Sequence, residues 1–557
     1  MNLARMHEAI AAAFPDRDCL VFRDRRYTYS QITDRTQRLG AVMRAHGLGC
    51  HHERDQLNGW ESGQDHVALF LYNGNEYLEA MLGAYKARCV PFNVNYRYVE
   101  DELLYLFDNA DAKAVIYHAR FAPTLDKIRS QLSTVKLWIQ VADESDNPLL
   151  EGAVDYETII ANTQPEPMDT AANDDDLYMV YTGGTTGMPK GVLWRQKDIF
   201  YSAIARAEQP FDLDDYVQEL KIKLQKRPAP IGMPIPPFMH ASAQWVAFGL
   251  WTMAGTVVVQ SNPEQFDAQD IWSTVQREGV GSMNIIGDAF AAPLLDELER
   301  ANEAGEPYDL SSMRLISSGG AILTPERKGK FQQWMPQANI LDILGSSESG
   351  TQASQLTKTG DKAKTGDFAP KGGSVLLDES LSHLLPQDSE EKGWVARSGF
   401  MPLGYYKDES KTAKTFPTIA GIRYSVPGDK GAYDGTGNIK FFGRDSVCIN
   451  TGGEKVFAEE VELALKKHPQ VYDAIVCPTP SDRWGQQITA VIQFRESQGV
   501  DDTVLNIFVK EHLAPYKVPK VFLSVDKIQR APNGKPDYRW ARETALTMLE
   551  QSQPVSA

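Results

Sequence analysis

The chain has 557 residues, 42% of them hydrophobic and 10% aromatic, and carries a formal net charge of −17. That length is more than one hydrophobic core organises, so two or more domains are expected, in a globular rather than disordered chain. An acidic chain without a Lys/Arg-rich block argues against nucleic acid as the main partner, and the lack of any apolar run of about 18 residues excludes a transmembrane helix. Residues 1–14 have a helical apolar rhythm, but they include an acidic residue and no small-residue cleavage site, which argues against a signal peptide. Cys19, Cys50, Cys89, Cys448 and Cys477 lie far apart with no Cys-x-x-Cys pair, and read as reduced thiols of a cytoplasmic protein.

Residues 49–65 read as a polar surface loop; its adjacent Cys50, His51 and His52 lack the partner spacing of a zinc site. From residue 66 the pattern alternates. A strand (66–73) precedes a helix (75–87) with Tyr77, Met81 and Ala84 on one face. A strand (89–95), a helix (99–110) and a strand (113–118) follow. The alternation predicts a parallel sheet with helices on its faces. Residues 164–176 form an acidic connector. The alternation returns as a helix at 271–279, a strand at 282–287 and a helix at 289–305. The last hundred residues differ. A short helix (458–468) with Ala458, Val461 and Leu465 inward is followed by strands, a helix at 504–513 and a last strand at 520–525. This is a compact α+β unit, and its boundary falls near 443–446.

Between two predicted strands, 177–181 and 191–194, lies "YTGGTTGMPKGV" (181–192). A nucleoside-triphosphatase loop needs Gly-Lys-Ser/Thr opening a helix. Here Pro189 precedes Lys190 and Gly191 follows it, so that motif is excluded. The chemistry still points to phosphate. Gly183, Gly184 and Gly187 let backbone N–H groups turn toward an anion, Thr182, Thr185 and Thr186 add hydroxyls, and Lys190 adds charge.

This stretch resembles the phosphate loop of the AMP-forming acyl-CoA synthetases, the adenylating superfamily that includes peptide-synthetase adenylation domains and luciferases. Further segments resemble that family in its order along nearly the whole chain. In "IPPFMHASAQW" (235–245), His240 stands where the family meets the acyl pocket and the α-phosphate. No acidic residue occurs in that segment, which favours an uncharged acyl tail over an amino acid. "SSGGAIL" (317–323), with Gly319, Gly320 and Ala321, resembles the adenine-binding segment. "LDILGSSES" (341–349) supplies Asp342 at the adenine edge, Gly345, Ser346 and Ser347, and Glu348 as a Mg²⁺ ligand. Leu344 and Ser347 stand where the family usually has Tyr and Thr. Asp429, in "YSVPGDKG", matches the ribose-binding acid, and Arg444 a second ribose contact. Gly452 and Gly453 fall where the family lines the pantetheine tunnel of CoA, and Lys535 matches the lysine that enters the site during adenylation.

The resemblance implies an α/β fold: a large N-terminal multi-sheet α/β domain (1–443) plus a small C-terminal α+β lid domain (444–557), with a hinge near 444–446. It implies ATP and Mg²⁺ as cofactors and CoA as co-substrate. Lys535, His240 and Glu348 are the expected catalytic residues. The other signatures look closest to bacterial steroid side-chain and fatty acyl-CoA ligases, hence a hydrophobic carboxylic acid as substrate. A carrier-loading adenylating enzyme and a luciferase-type adenylate oxygenase remain alternatives, and a homodimer remains open.

Overall fold

A computed structural model gives the fold and describes residues 1–182, 188–451, 454–481, 485–496, 499–532 and 534–552. Mixed α/β structure divides into a large N-terminal and a small C-terminal domain. Among the described residues the N-terminal part is built on three principal sheets, of thirteen, five and three strands.

The five-stranded sheet is parallel. Its order is Val90–Asn93, His66–Phe70, Ala112–His118, Leu137–Val141, Val154–Asp155, which is the sheet the alternating pattern predicts. The helix Asn75–Lys86 departs from its predicted single inward face: all of its residues are buried. It packs between this sheet's apolar face and the helix Tyr29–Ala45. Its buried Glu79 is held internally, by Arg35 at 2.9 Å and by Tyr156 at 2.8 Å. Covering a helix on both sides erases the solvent face on which amphipathic periodicity depends.

The thirteen-stranded sheet is parallel over Asp18–Phe22, Thr256–Val259, Ile231–Pro234, Ser282–Ile285, Leu315–Gly319 and Asn339–Ser346. It then turns antiparallel through Gly350–Thr357 and the strands beyond it. The change follows from chain economy, because a short turn at 347–349 returns the chain beside the strand it has just left, and only antiparallel pairing allows so short a connection. The two expected strands are present as Leu177–Thr182 and Lys190–Arg195, which pair antiparallel, and Gly404–Tyr405 joins them.

The C-terminal domain has its own five-stranded sheet. Its core contains Ile449, Val461, Leu465, Val476, Ile492 and Leu505. The helix Ala458–Leu465 buries Ala458, Val461 and Leu465, as its spacing requires. None of the five cysteines is in a disulfide bond. Among the described residues no helix is long and apolar enough to cross a membrane.

Candidate active site

The glycine-rich segment begins where the strand Leu177–Thr182 ends, and Lys190 opens the returning strand, paired in register with Thr182. Gly183, Gly184, Thr185, Thr186 and Gly187 lie outside the described residues, as do Gly452 and Gly453. Lys190 forms an ion pair with Asp408, the N-cap of the helix Glu409–Thr415. Asn93 ties this region to the His240 segment. Its amide donates to Tyr181 O at 2.8 Å and to Met239 O at 2.7 Å, and its Oδ1 accepts from Tyr181 N at 2.7 Å. A second buried amide, Asn73, holds Phe238 N at 2.6 Å and Pro236 O at 3.1 Å. Buried amides that use both ends fix backbone tightly, because freeing either end would leave a desolvated polar group.

His240 is the N-cap residue of the helix Ala241–Thr252. Its Nε2 is buried and has no hydrogen-bond partner among the described residues. Burial, with Lys535 and Arg97 nearby, pushes its pKa down to about 3, so the ring is neutral at physiological pH. A neutral imidazole with one nitrogen unsatisfied is a ready polar contact for a ligand.

Gly320 follows the end of the strand Leu315–Gly319, with φ +83°. A Cβ built there would lie 3.2 Å from Cε of Lys535 and 4.0 Å from Ile286. Glycine is therefore required twice, for the left-handed backbone and for the close approach of the lysine. Ala321 follows in the same turn and lines the cleft. Asp342 is buried on the next strand, where Lys328 pairs with it and also donates to Lys364 O. Burial raises the Asp342 pKa to about 6 against the opposing pull of Lys328. Gly345 and Ser346 end that strand, and Ser346 Oγ accepts from the Glu348 N–H at 3.2 Å. Ser347 presents its carbonyl to Trp194 Nε1 at 2.9 Å. The Glu348 carboxylate accepts from the Tyr405 hydroxyl at 3.0 Å.

Asp429 is buried at the start of its strand and accepts from Arg444 Nε at 3.1 Å. The carboxylate, set against the burial of the guanidinium and helped by Glu348, raises the Arg444 pKa above its ordinary value. Lys535 reaches this group from the C-terminal domain. It closes a turn in which Gly534 N donates to Ala531 O at 2.8 Å and Ala531 N to Lys535 O at 3.0 Å. Arg530 braces the turn, donating to Gly534 O at 3.1 Å while held by Asp473 at 2.6 Å. Gly534, at φ +72°, passes close to the helix Gly287–Glu303; a Cβ there would lie 3.0 Å from Phe290. Polar contacts also join the domains among the described residues, beside a stack of Phe442 on Phe457. Lys466 stands 3.7 Å from Asp288, Arg327 donates to Tyr472 O at 2.9 Å, and Tyr472 OH donates to Asp296 at 3.2 Å.

These elements enclose a cleft of about 750 Å³ between the domains. Gly320, Ala321, Asp342, Gly345, Asp429, Arg444 and Lys535 all line it. Lys535 is open to solvent on the cleft side yet ringed by protein. Burial and the Arg444 charge, against Glu348 and Asp429, push its pKa down to about 8. Adjacent charges of both signs and a lysine poised near neutrality suit anionic chemistry. Asn93, Tyr405, Lys328, Asp408 and the Arg530–Asp473 brace are contributors that motif reading did not single out.

Magnesium favours oxygen ligands and usually binds through one or two carboxylates plus substrate phosphates. Among the described residues no group of three or more His, Cys, Asp or Glu side chains could hold a metal ion. The single carboxylate of Glu348 therefore fits Mg²⁺ delivered with a nucleotide rather than an all-protein cage.

A family described as AMP-binding enzyme matches residues 7–406, and one described as AMP-binding enzyme C-terminal domain matches residues 460–535. The chain is 45% identical over 544 residues to the medium-chain acyl-CoA ligase Mig of Mycobacterium avium, covering 97% of both chains. It is 38% identical over 554 residues to a 3-oxocholest-4-en-26-oate–CoA ligase of Rhodococcus rhodochrous, covering 98% of this chain and 96% of that one. Among solved structures, the anthranilate CoA ligase AuaEII in complex with anthranoyl-AMP shares the fold. Its TM-score is 0.80 at 20% identity, over 99% of this chain and 98% of that one.

Proposed function

Because the chain belongs to the AMP-binding enzyme family, we infer that it is an AMP-forming acyl-CoA ligase, an acid–thiol ligase that joins a hydrophobic carboxylic acid to CoA at the expense of ATP. The observation that carries this reading is the seating of Lys535 over Gly320, in the same cleft as Asp429 and Arg444 and within the electrostatic reach of Glu348 and His240. A lysine from a second domain is brought to a site that otherwise belongs to the first.

The substrate carboxylate attacks the α-phosphorus of ATP, acyl-AMP forms and diphosphate leaves. The segment from Thr182 to Lys190 holds the β- and γ-phosphates. Gly319, Gly320 and Ala321 flank the adenine, with Asp342 at its edge, and Asp429 and Arg444 take the ribose hydroxyls. Lys535 neutralises charge growing around the α-phosphate, and neutral His240 touches the acyl–phosphate junction. Glu348 would hold Mg²⁺, which when bound supplies positive charge against the triphosphate. Stabilisation of this kind is electrostatic and positional.

In the second step the C-terminal domain, 444–557, rotates at a hinge near 444–446. Lys535 withdraws, Gly452 and Gly453 line the path of the pantetheine, and the CoA thiol displaces AMP. The names of the relatives, one a medium-chain and one a steroid-acid ligase, together with the uncharged segment 235–245, support a bulky or medium-chain hydrophobic acid. Mass spectrometry of products from a panel of acids with ATP, Mg²⁺ and CoA tests the reading. AMP, diphosphate and acyl-CoA are expected; ADP and phosphate would refute it, and acyl transfer that bypasses CoA would redirect it to a carrier-loading enzyme.

A further inference from the structure

The turn that presents Glu348 is held from outside by side chains drawn from four separate parts of the chain. Ser347 O accepts from Trp194 Nε1 at 2.9 Å, and Glu348 O from Ser425 Oγ at 2.6 Å. Ser349 O accepts from Arg397 Nη1 at 3.2 Å and from Ser202 Oγ at 3.4 Å, and Arg397 Nη1 also reaches Thr351 O. An ordinary turn between antiparallel strands leaves such carbonyls to water.

Arg397 is the charged member of this clamp. It ends the strand Gly393–Arg397 and is 3% exposed. Among the described residues no carboxylate pairs with it, and burial lowers its pKa to about 10. Its Nε is buried without a partner. A desolvated guanidinium without a counter-ion is strongly unfavourable, so carbonyl dipoles must hold it in place of a carboxylate. The same residue exchanges backbone hydrogen bonds with Ser425, at 3.0 and 2.8 Å. Ser425, fully buried, is the donor on the Glu348 carbonyl. Arg397 thus acts on the turn twice, through its guanidinium and through Ser425.

We propose that Arg397 is a positioning residue of the ligase reaction: by clamping the carbonyls of Ser349 and Thr351, and through Ser425 that of Glu348, it aims the Glu348 carboxylate at the Mg²⁺–ATP site. The proposal rests on the assignment of Glu348 made above. A purely structural arginine would stabilise the sheet edge without regard to which nucleotide is bound. A positioning arginine matters only for ligands that Glu348 meets through the metal.

The experiment is calorimetric titration of ATP with and without Mg²⁺, and of AMP, into the full-length protein and its variants, with melting curves to check folding. Arg397→Met should reduce the Mg²⁺-dependent gain in ATP affinity about tenfold, the lower end of what the loss of a ligand's supporting partner usually does. AMP affinity should stay within about twofold of wild type, since AMP binding does not use the metal. Arg397→Lys should recover part of the gain. Equal weakening of AMP and Mg²⁺–ATP, or an unchanged gain, would overturn the proposal. Glu348→Gln separates the two levels of the argument. If it loses the gain while Arg397→Met keeps it, only the role of Arg397 fails; if it too keeps the gain, the Glu348 assignment fails and the proposal with it. Should Arg397→Met not fold, Ser425→Ala carries the same test, with a smaller loss of the gain expected and no loss refuting the clamp.

Discussion

Gly320→Ala would place one methyl group between the two domains. At φ +83° the new side chain forces an L-residue into left-handed backbone, a strain of about 1–2 kcal/mol. That strain is present wherever the C-terminal domain sits, so it lowers stability without favouring either half-reaction. The second effect is directional. The methyl would stand 3.2 Å from Cε of Lys535, tighter than ordinary van der Waals contact, with Ile286 at 4.0 Å limiting its retreat. The lysine arm is flexible, so it should shift rather than vanish. Complete loss of one transition-state electrostatic contact typically slows a reaction by ~10²–10³, and partial displacement should fall below that, at about 10–50-fold on acyl-AMP formation. Once the domain rotates as proposed and Lys535 leaves, the methyl meets only Ile286 at ordinary contact distance, and thioester formation should change by less than about threefold. Rapid-quench measurement of acyl-AMP formed without CoA gives the first rate; synthetic acyl-adenylate mixed with CoA gives the second. Equal slowing of both steps, or an unchanged adenylation rate in a variant that melts lower, would refute the argument that Lys535 occupies this space only during adenylation.

Lys535→Ala should reach the full loss of ~10²–10³ in adenylation and leave the thioester step nearly intact, by the same paired assay. Because the Lys535 pKa is lowered to about 8, the lysine is protonated below that pH. The wild-type adenylation rate should hold up to pH 8 and then fall about tenfold per unit, a limb that Lys535→Ala removes. His240, pushed down to about 3, should add no limb near its ordinary pKa. It should instead make the fold less stable as pH falls below 6.5 toward 3, where only the unfolded chain binds the proton; acid melting curves of wild type and His240→Phe would show this. In a size-graded panel of acids, kcat/KM should favour bulky hydrophobic acids over acetate, and a maximum at acetate would overturn the substrate class.

The motifs made the chemistry legible because each is a short run whose residue types are tied to one ligand. Lys535, Asp429 and Arg444 were found from short segments and from the order of those segments along the chain, and all three line one cleft. What surrounds them was not legible. Asn93 reaches residues 88 and 146 positions away, and Tyr405 meets Glu348 across 57. Such contacts leave no periodicity or spacing in the chain. Lys328, 14 residues before Asp342 in the chain, is seen as its partner only in the fold. The helix Asn75–Lys86 misled for a related reason: its polar residues face buried partners instead of water, so polarity no longer marked an outer face. Gln529 and Arg530 look like a departure from the family pattern, yet Arg530 braces the turn that carries Lys535.

The contacts that dock the two domains include, among the described residues, Lys466 near Asp288, Arg327 on a carbonyl and a tyrosine hydroxyl on Asp296, with Phe290 under Gly534 and Phe442 stacked on Phe457 as apolar touches. Water can replace each of these three polar contacts, so breaking them exchanges partners. An enzyme that runs two reactions on one scaffold needs neither docked form to be a thermodynamic trap, since the deeper well would set the slowest step of the cycle. On the rotation proposed above, a seam of exchangeable contacts would keep the wells shallow and the crossing fast. It would also make the balance between them answer to the surrounding medium: added salt screens the lysine–aspartate attraction and should tilt the cycle toward the undocked side proposed to accept CoA.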